Sequence, residues 1–140
     1  MYMVKTKKNR HTVVGSFKQE VVKVFLQILN TVKLYHWKTK SFAIHKATDE
    51  LYSKLGSNID SFIEVLLGKE EERIHLPGSS SLSLLDFNSL SDFKKEINIF
   101  KNFLIRLNQT LASPINSDLL TIRDEMLKDI NQFLYLSTFI

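Results

Sequence analysis

Two imidazoles and three carboxylates within thirty residues are the part of this chain able to do chemistry. They are His36, His45, Asp49, Asp60 and Glu64, in the segment LYHWKTKSFAIHKATDELYSKLGSNIDSFIEVLLG that runs from Leu34 to Gly68. Neutral imidazole and carboxylate together suit a first-row transition metal such as iron, which accepts mixed nitrogen and oxygen ligands. At 100° per residue on a helix, Asp49, Asp60 and Glu64 fall within an arc of about 100° that starts at His45. They border the apolar stripe of that helix, neither in the middle of the core nor on the fully solvated side. His36 takes a similar flanking place at the end of the preceding helix, and a tight hairpin brings it towards His45 and Asp49. Taken one at a time, each has an ordinary reading as a structural histidine or a surface acid paired to a lysine such as Lys46; Trp37 and Phe42 read as packing residues.

One length decides how such a site is assembled. Asp60 lies 15 residues beyond His45, about 22 Å along a helix axis. Metal–ligand bonds are about 2 Å, so one chain cannot close both groups around the same ion. Two half-sites result, His36/His45/Asp49 and Asp60/Glu64. An antiparallel two-fold dimer sets one against the other, because an isologous contact makes residue i meet residue j twice. The fourth helix offers Asp124, Glu125 and Asp129 but no histidine, and Glu64 has no histidine three residues on. A metal centre inside one bundle is therefore poorly supported.

The elements that must position these residues are helical. The 140 residues suffice for one domain with a buried core, and only four Gly and two Pro interrupt them. Apolar stripes mark a helix from Phe17 to about Lys38 with Ser16 as N-cap, and a second from about Ala43 to Leu67 with Gly68 as its stop. A third follows from about Ser91 to Leu111, and a fourth after Ser117 or Asn116. Between the second and third, KEEER and Pro77–Ser81 read as a loop, and Leu82–Phe87 as a short apolar turn that docks on the bundle. Two short connections and one long one predict an all-α fold, a ferritin-like antiparallel four-helix bundle with a long crossover between helices 2 and 3.

Charge is concentrated at one end. Residues 1–15 hold Lys5, Lys7, Lys8 and Arg10 and no acid; these four come out of 19 basic residues against 15 acidic ones, so the rest is neutral. The arm reads either as a solvated terminus or as a polyanion-binding tail, strengthened if many copies share one assembly. The domain reading is thus a basic flexible arm, 1–15, and a bundle, 16–140. The absence of cysteine excludes disulfides and thiolate-held metals. The first ten residues lack an apolar secretory core, and charges break every window long enough to span a bilayer. The expectation is a soluble cytoplasmic protein with no membrane partner, or one associated with a nucleoid or virion.

His36-Trp37, Phe42, His45, Asp49, Asp60 and Glu64 resemble the core signature of the Dps mini-ferritins, and the spacing from His45 to Glu64 matches without a gap. Looser similarity covers Asp118-Leu119-Leu120 and Phe133–Leu136, and the lysine- and asparagine-rich form of the motif also looks like that of ferritin-like proteins from large DNA viruses. The resemblance implies a ferroxidase site shared by two-fold-related subunits, Fe2+ oxidised to Fe3+ by peroxide or oxygen, and storage in a homo-oligomeric cage, a dodecamer in that family. It also implies DNA as a partner, here through the arm. The segment between His36 and His45 is about three residues shorter than in the family, and Glu64 lacks the following arginine. The alternative is a ferritin-like scaffold without catalysis, binding DNA or building a virion through its basic arm.

Overall fold

In the computed structural model the chain is described from residue 2 to 139, with side chains described from 17 to 139. The side chains of Lys5, Lys7, Lys8 and Arg10 lie outside the described residues; the backbone of the expected arm is the start of the first helix. Four α-helices follow one another: α1 (Tyr2–Lys38), α2 (Phe42–Glu70), α3 (Leu90–Thr110) and α4 (Ser117–Leu136), the last preceded by a single 3-10 turn at Pro114–Asn116. No strand occurs among the described residues. The all-helical fold with four helices is as expected; α1, however, passes through Ser16, which therefore does not cap it.

Local chemistry sets the other helix ends. Ser41 caps α2 by accepting from the Ile44 amide (3.3 Å), and Ser89 caps α3 by accepting from the Asp92 amide (3.1 Å). Both serines sit in extended backbone, as an N-cap requires. Gly68 does not stop α2. The helix continues to Glu70, and Glu71 takes the left-handed conformation at φ 54°. Contacts from outside hold this extra turn. Lys69 donates to Ile115 O (2.6 Å) and pairs with Asp118 (3.0 Å), while the buried Lys18 ammonium sits between Glu70 and Glu72. Burial alone lowers the Lys18 pKa, but the hydrogen bonds to the two glutamates outweigh it and the net shift is upward.

The stripes meet in one core. Phe25 of α1 is its hub, with edge-on contacts to Phe62 of α2 at 5.3 Å and to Phe100 and Phe103 of α3 at 6.1 and 6.2 Å between ring centroids. Tyr35 stacks on Phe93 at 4.3 Å. α2 packs between α1 and α4, and α3 against α4 and α1. Arg123 of α4 is buried and clamps the last turns of α3, donating to Leu104 O (2.7 Å) and Asn108 Oδ1 (2.6 Å).

The connection from α2 to α3 carries no helix; in the apolar segment expected to dock, Leu82–Phe87, the side chains of Leu82, Leu85 and Phe87 are half-buried. It runs extended along α1: Gln19 donates to His75 O, Gln27 to Ser83 O, and Lys38 to Asp86 and Asn88. Leu84 is 70% exposed, while Phe87 packs against the core. Side chains from the middle and C-terminal half of α1 thus tether the strap at His75, Ser83, Asp86 and Asn88.

Glu71 is an L-residue in a conformation that favours glycine. Glu71→Gly is expected to stabilise the fold by about 1 kcal/mol, read as a rise in thermal midpoint; a fall would show that the Glu71 side chain supports the turn.

Candidate functional site

Only three residues separate α1 from α2, and that hairpin closes on its two histidines. The Nδ1–H of His36 donates to the backbone carbonyl of His45 (2.8 Å), and the Nδ1–H of His45 donates to the carbonyl of His36 (2.9 Å). The rings stack at 3.9 Å between centroids with 17° between planes. His36 is buried, at 7% exposure, and His45 is half-buried. Because carbonyl oxygens accept only, each Nδ1 must carry the proton, which leaves each Nε2 with its lone pair. Among the described residues no hydrogen bond goes to either Nε2. A backbone carbonyl that fixes the tautomer in this way is the usual support of a metal-binding imidazole.

Thr48 completes the clasp and was not among the residues singled out from the sequence. It is fully buried; its hydroxyl donates to Ile44 O (2.7 Å) and accepts from His36 Nδ1 at 3.1 Å. A polar residue three positions after His45, inside the apolar stripe of α2, was the available signal. Its methyl group satisfies the stripe, so the pattern alone does not flag it.

The three carboxylates lie further out than the border position expected from their spacing. Asp49, Asp60 and Glu64 are all exposed on the outer side of α2, with Asp60 and Glu64 far along the axis from the histidines. Among the described residues, no three histidine, aspartate or glutamate side chains gather at metal-binding reach within one chain. Trp37 and Phe42 are not packing residues: they are 69% and 75% exposed. The hairpin turn is too tight to fold them over the core, so they flank the histidine pair outside. Lys33 lies over Trp37 and Tyr52, and Lys46 over Phe42.

The acids of α4 are engaged elsewhere. Asp124 accepts from Arg123 Nε, Glu125 pairs with Lys128, and Asp129 accepts from Asn58 (3.1 Å) in a groove between α2 and α4. Burial raises the Asp129 pKa above the ordinary carboxylate value, against the pull of Lys54 and Lys128.

The geometry limits the chemistry. Each imidazole lone pair lies in its own ring plane, and the two planes are nearly parallel. One ion about 2 Å from a nitrogen cannot lie in both. The stacked pair therefore offers two single-nitrogen donors, one per histidine, and not two imidazoles on one ion.

The chain belongs to DUF5856, a family of unknown function, whose sequence profile matches residues 36–136. The match opens on His36 and takes in all five candidate ligands; it leaves out residues 1–35, the basic arm among them. No curated protein and no solved structure matches the chain. No described helix is long and apolar enough to cross a membrane.

Two outcomes follow. Long-range 1H–15N correlation spectra of the imidazoles at alkaline pH are expected to show His36 and His45 both protonated at Nδ1; a proton on either Nε2 would contradict the clasp. Asp129 holds its proton more tightly folded than unfolded, so its charge disfavours the fold as pH rises through and above the ordinary carboxylate range. Asp129→Asn, which still accepts from Asn58, should be more stable than the parent at neutral pH, with the advantage fading as pH falls below that range. An advantage that persists in acid would contradict this assignment.

Proposed function

We propose that this protein is an iron-oxidising mini-ferritin of the Dps type, whose substrate is Fe2+ and whose catalytic site is completed by a second copy of the chain. The observation that carries this reading is the histidine clasp, which presents two lone-pair nitrogens on stacked rings at the end of a hairpin. The order of the helices, with a long strap between α2 and α3, supports a ferritin-like arrangement with its crossover at that place.

His36 and His45 each hold one ferrous ion through Nε2, and Asp49 stands one helical turn from His45. Asp60 and Glu64 of the second copy face them from an antiparallel α2. Asp49 against Asp60 of the second copy is a like-charge contact in the empty site, which divalent ions relieve; loading and association therefore reinforce each other. Two ferrous ions, one per histidine, would supply the two electrons that peroxide needs. Each iron loses one electron, the O–O bond breaks, and two protons from solvent leave with the oxygens as two waters. The fixed Nδ1–H tautomers keep the imidazoles as ligands, and the few protein donors leave positions open for the oxidant. The product Fe3+ passes to mineral inside a homo-oligomeric shell, a dodecamer by the resemblance, in the cytoplasm or in a nucleoid- or virion-associated particle. The basic arm, with Lys5, Lys7, Lys8 and Arg10, adds DNA as a partner of that shell.

Complementation tests the shared site. His36→Ala/His45→Ala and Asp60→Ala/Glu64→Ala are each expected to abolish peroxide-driven ferric absorbance. Co-refolded in equal amounts, the two variants should recover about a quarter of the parental rate, because half the dimers are mixed and each of those has one whole site. No recovery from a mixture shown to contain mixed dimers would sink the shared-site ferroxidase.

A further inference from the structure

Packing alone does not account for Thr48. The buried positions of α2 are Ile44, Thr48, Leu51, Leu55, Ile59, Phe62 and Leu66, and Thr48 is the one polar side chain among them. It is fully buried. Valine has the same shape and brings no hydroxyl to desolvate, so a core position with no other demand favours it. The bond from Thr48 Oγ1 to Ile44 O does not explain the hydroxyl either, because the helix already satisfies that carbonyl through the Thr48 amide.

What the hydroxyl does is make the two histidines unequal. The Nδ1–H of His36 has two acceptors, His45 O at 2.8 Å and Thr48 Oγ1 at 3.1 Å. Among the described residues the Nδ1–H of His45 has one, His36 O at 2.9 Å. His36 is also the buried ring of the two, and His45 the half-buried one. Thr48 Oγ1 is itself held in place. Its single proton goes to Ile44 O (2.7 Å) or to His45 O (3.1 Å), and branching at Cβ restricts its rotamers. In either state a lone pair is left for the His36 ring. The tautomer of His36 does not need this contact, since the His45 carbonyl sets it. A single acceptor lets an imidazole swing about its hydrogen bond; a second one fixes the plane of the ring.

We infer that Thr48 is a positioning residue that locks the His36 ring, so that His36 offers a fixed Nε2 and His45 an adjustable one, and a divalent metal ion enters at His36 first. A nitrogen already in place loses little freedom when an ion arrives, whereas one that swings must be ordered at that step. Hydrogen-bond partners of this kind, one shell behind the ligand, commonly change metal affinity by about 10–100-fold. The inference deepens the proposed function and rests on it in taking a metal ion as what the two nitrogens bind. The lock on the ring belongs to the metal-free chain and stands on the contacts of Thr48 alone.

Thr48→Val keeps the shape of the side chain and removes the acceptor; Thr48→Ser keeps the hydroxyl. Both are compared with the parent as full chains, by imidazole 1H–15N spectra that resolve His36 from His45. Without metal, Thr48→Val should speed solvent exchange of the His36 Nδ1 proton by about fivefold or more, as the loss of one hydrogen bond implies. The His45 proton should be unchanged, and the thermal midpoint no lower than the parent's. Zn2+ accepts the same ligands and is not oxidised, so it serves as the probe. In the parent it should shift His36 Nε2 before His45 Nε2. Thr48→Val should weaken the His36 step by about tenfold and abolish the order, and Thr48→Ser should behave as the parent. Exchange and zinc order that Thr48→Val leaves untouched overturn the inference, as does a serine variant that matches the valine one. So does a loss that falls equally on both histidines, the mark of a loosened hairpin. Faster His36 exchange in Thr48→Val with no zinc at either nitrogen would remove the metal reading and the loading order with it, and leave the lock standing. Peroxide-driven iron oxidation by a chain whose His36 ring ignores Thr48→Val would do the reverse.

Discussion

The reciprocal histidine–carbonyl clasp is the contact on which the rest of the site depends. A three-residue turn between long antiparallel helices leaves polar backbone groups near the core, and the two imidazoles satisfy the His36 and His45 carbonyls while stacking on one another. The same two hydrogen bonds decide which nitrogen is protonated. The constraint that closes the hairpin thus also leaves each neutral imidazole a lone pair on Nε2, the donor that the proposed iron site would use.

The remaining structure holds that hairpin in register. Phe25 and Phe62 lock α1 to α2 at mid-length, and the Lys18 ion pairs with Glu70 and Glu72 lock the far end. The strap follows the middle and C-terminal half of α1 through Gln19, Gln27 and Lys38. α3 and α4 contribute the rest of the core and are tied to each other by Arg123. Among the described residues, Asp49, Asp60 and Glu64 on the outer side of α2 stay exposed.

Helix positions were legible because each stripe repeats over many turns, and Ser41 and Ser89 are capping residues that sit where the stripes begin. The end of α2 was not, because Gly68 is a local stop signal and the contacts that overrule it, from Lys18 and to Asp118, come from other helices. The five candidate ligands could be put on the flank of a helix from spacing alone. The pairing of His36 with His45, the identity of the protonated nitrogen and the part played by Thr48 all need the tertiary hairpin. Trp37 and Phe42 were misassigned to packing because aromatic residues beside an apolar stripe are usually buried; here the short turn points them away from the core.

The central claim is that iron binds at the two freed nitrogens and that a second chain completes its coordination. Anomalous diffraction at the iron edge, from crystals loaded with Fe2+ without oxygen, tests it most directly. The account predicts two iron peaks beside each hairpin, one at bonding distance from each Nε2, with Asp60 and Glu64 of a neighbouring copy against them. Iron bound elsewhere, or coordinated by one chain alone, would contradict it.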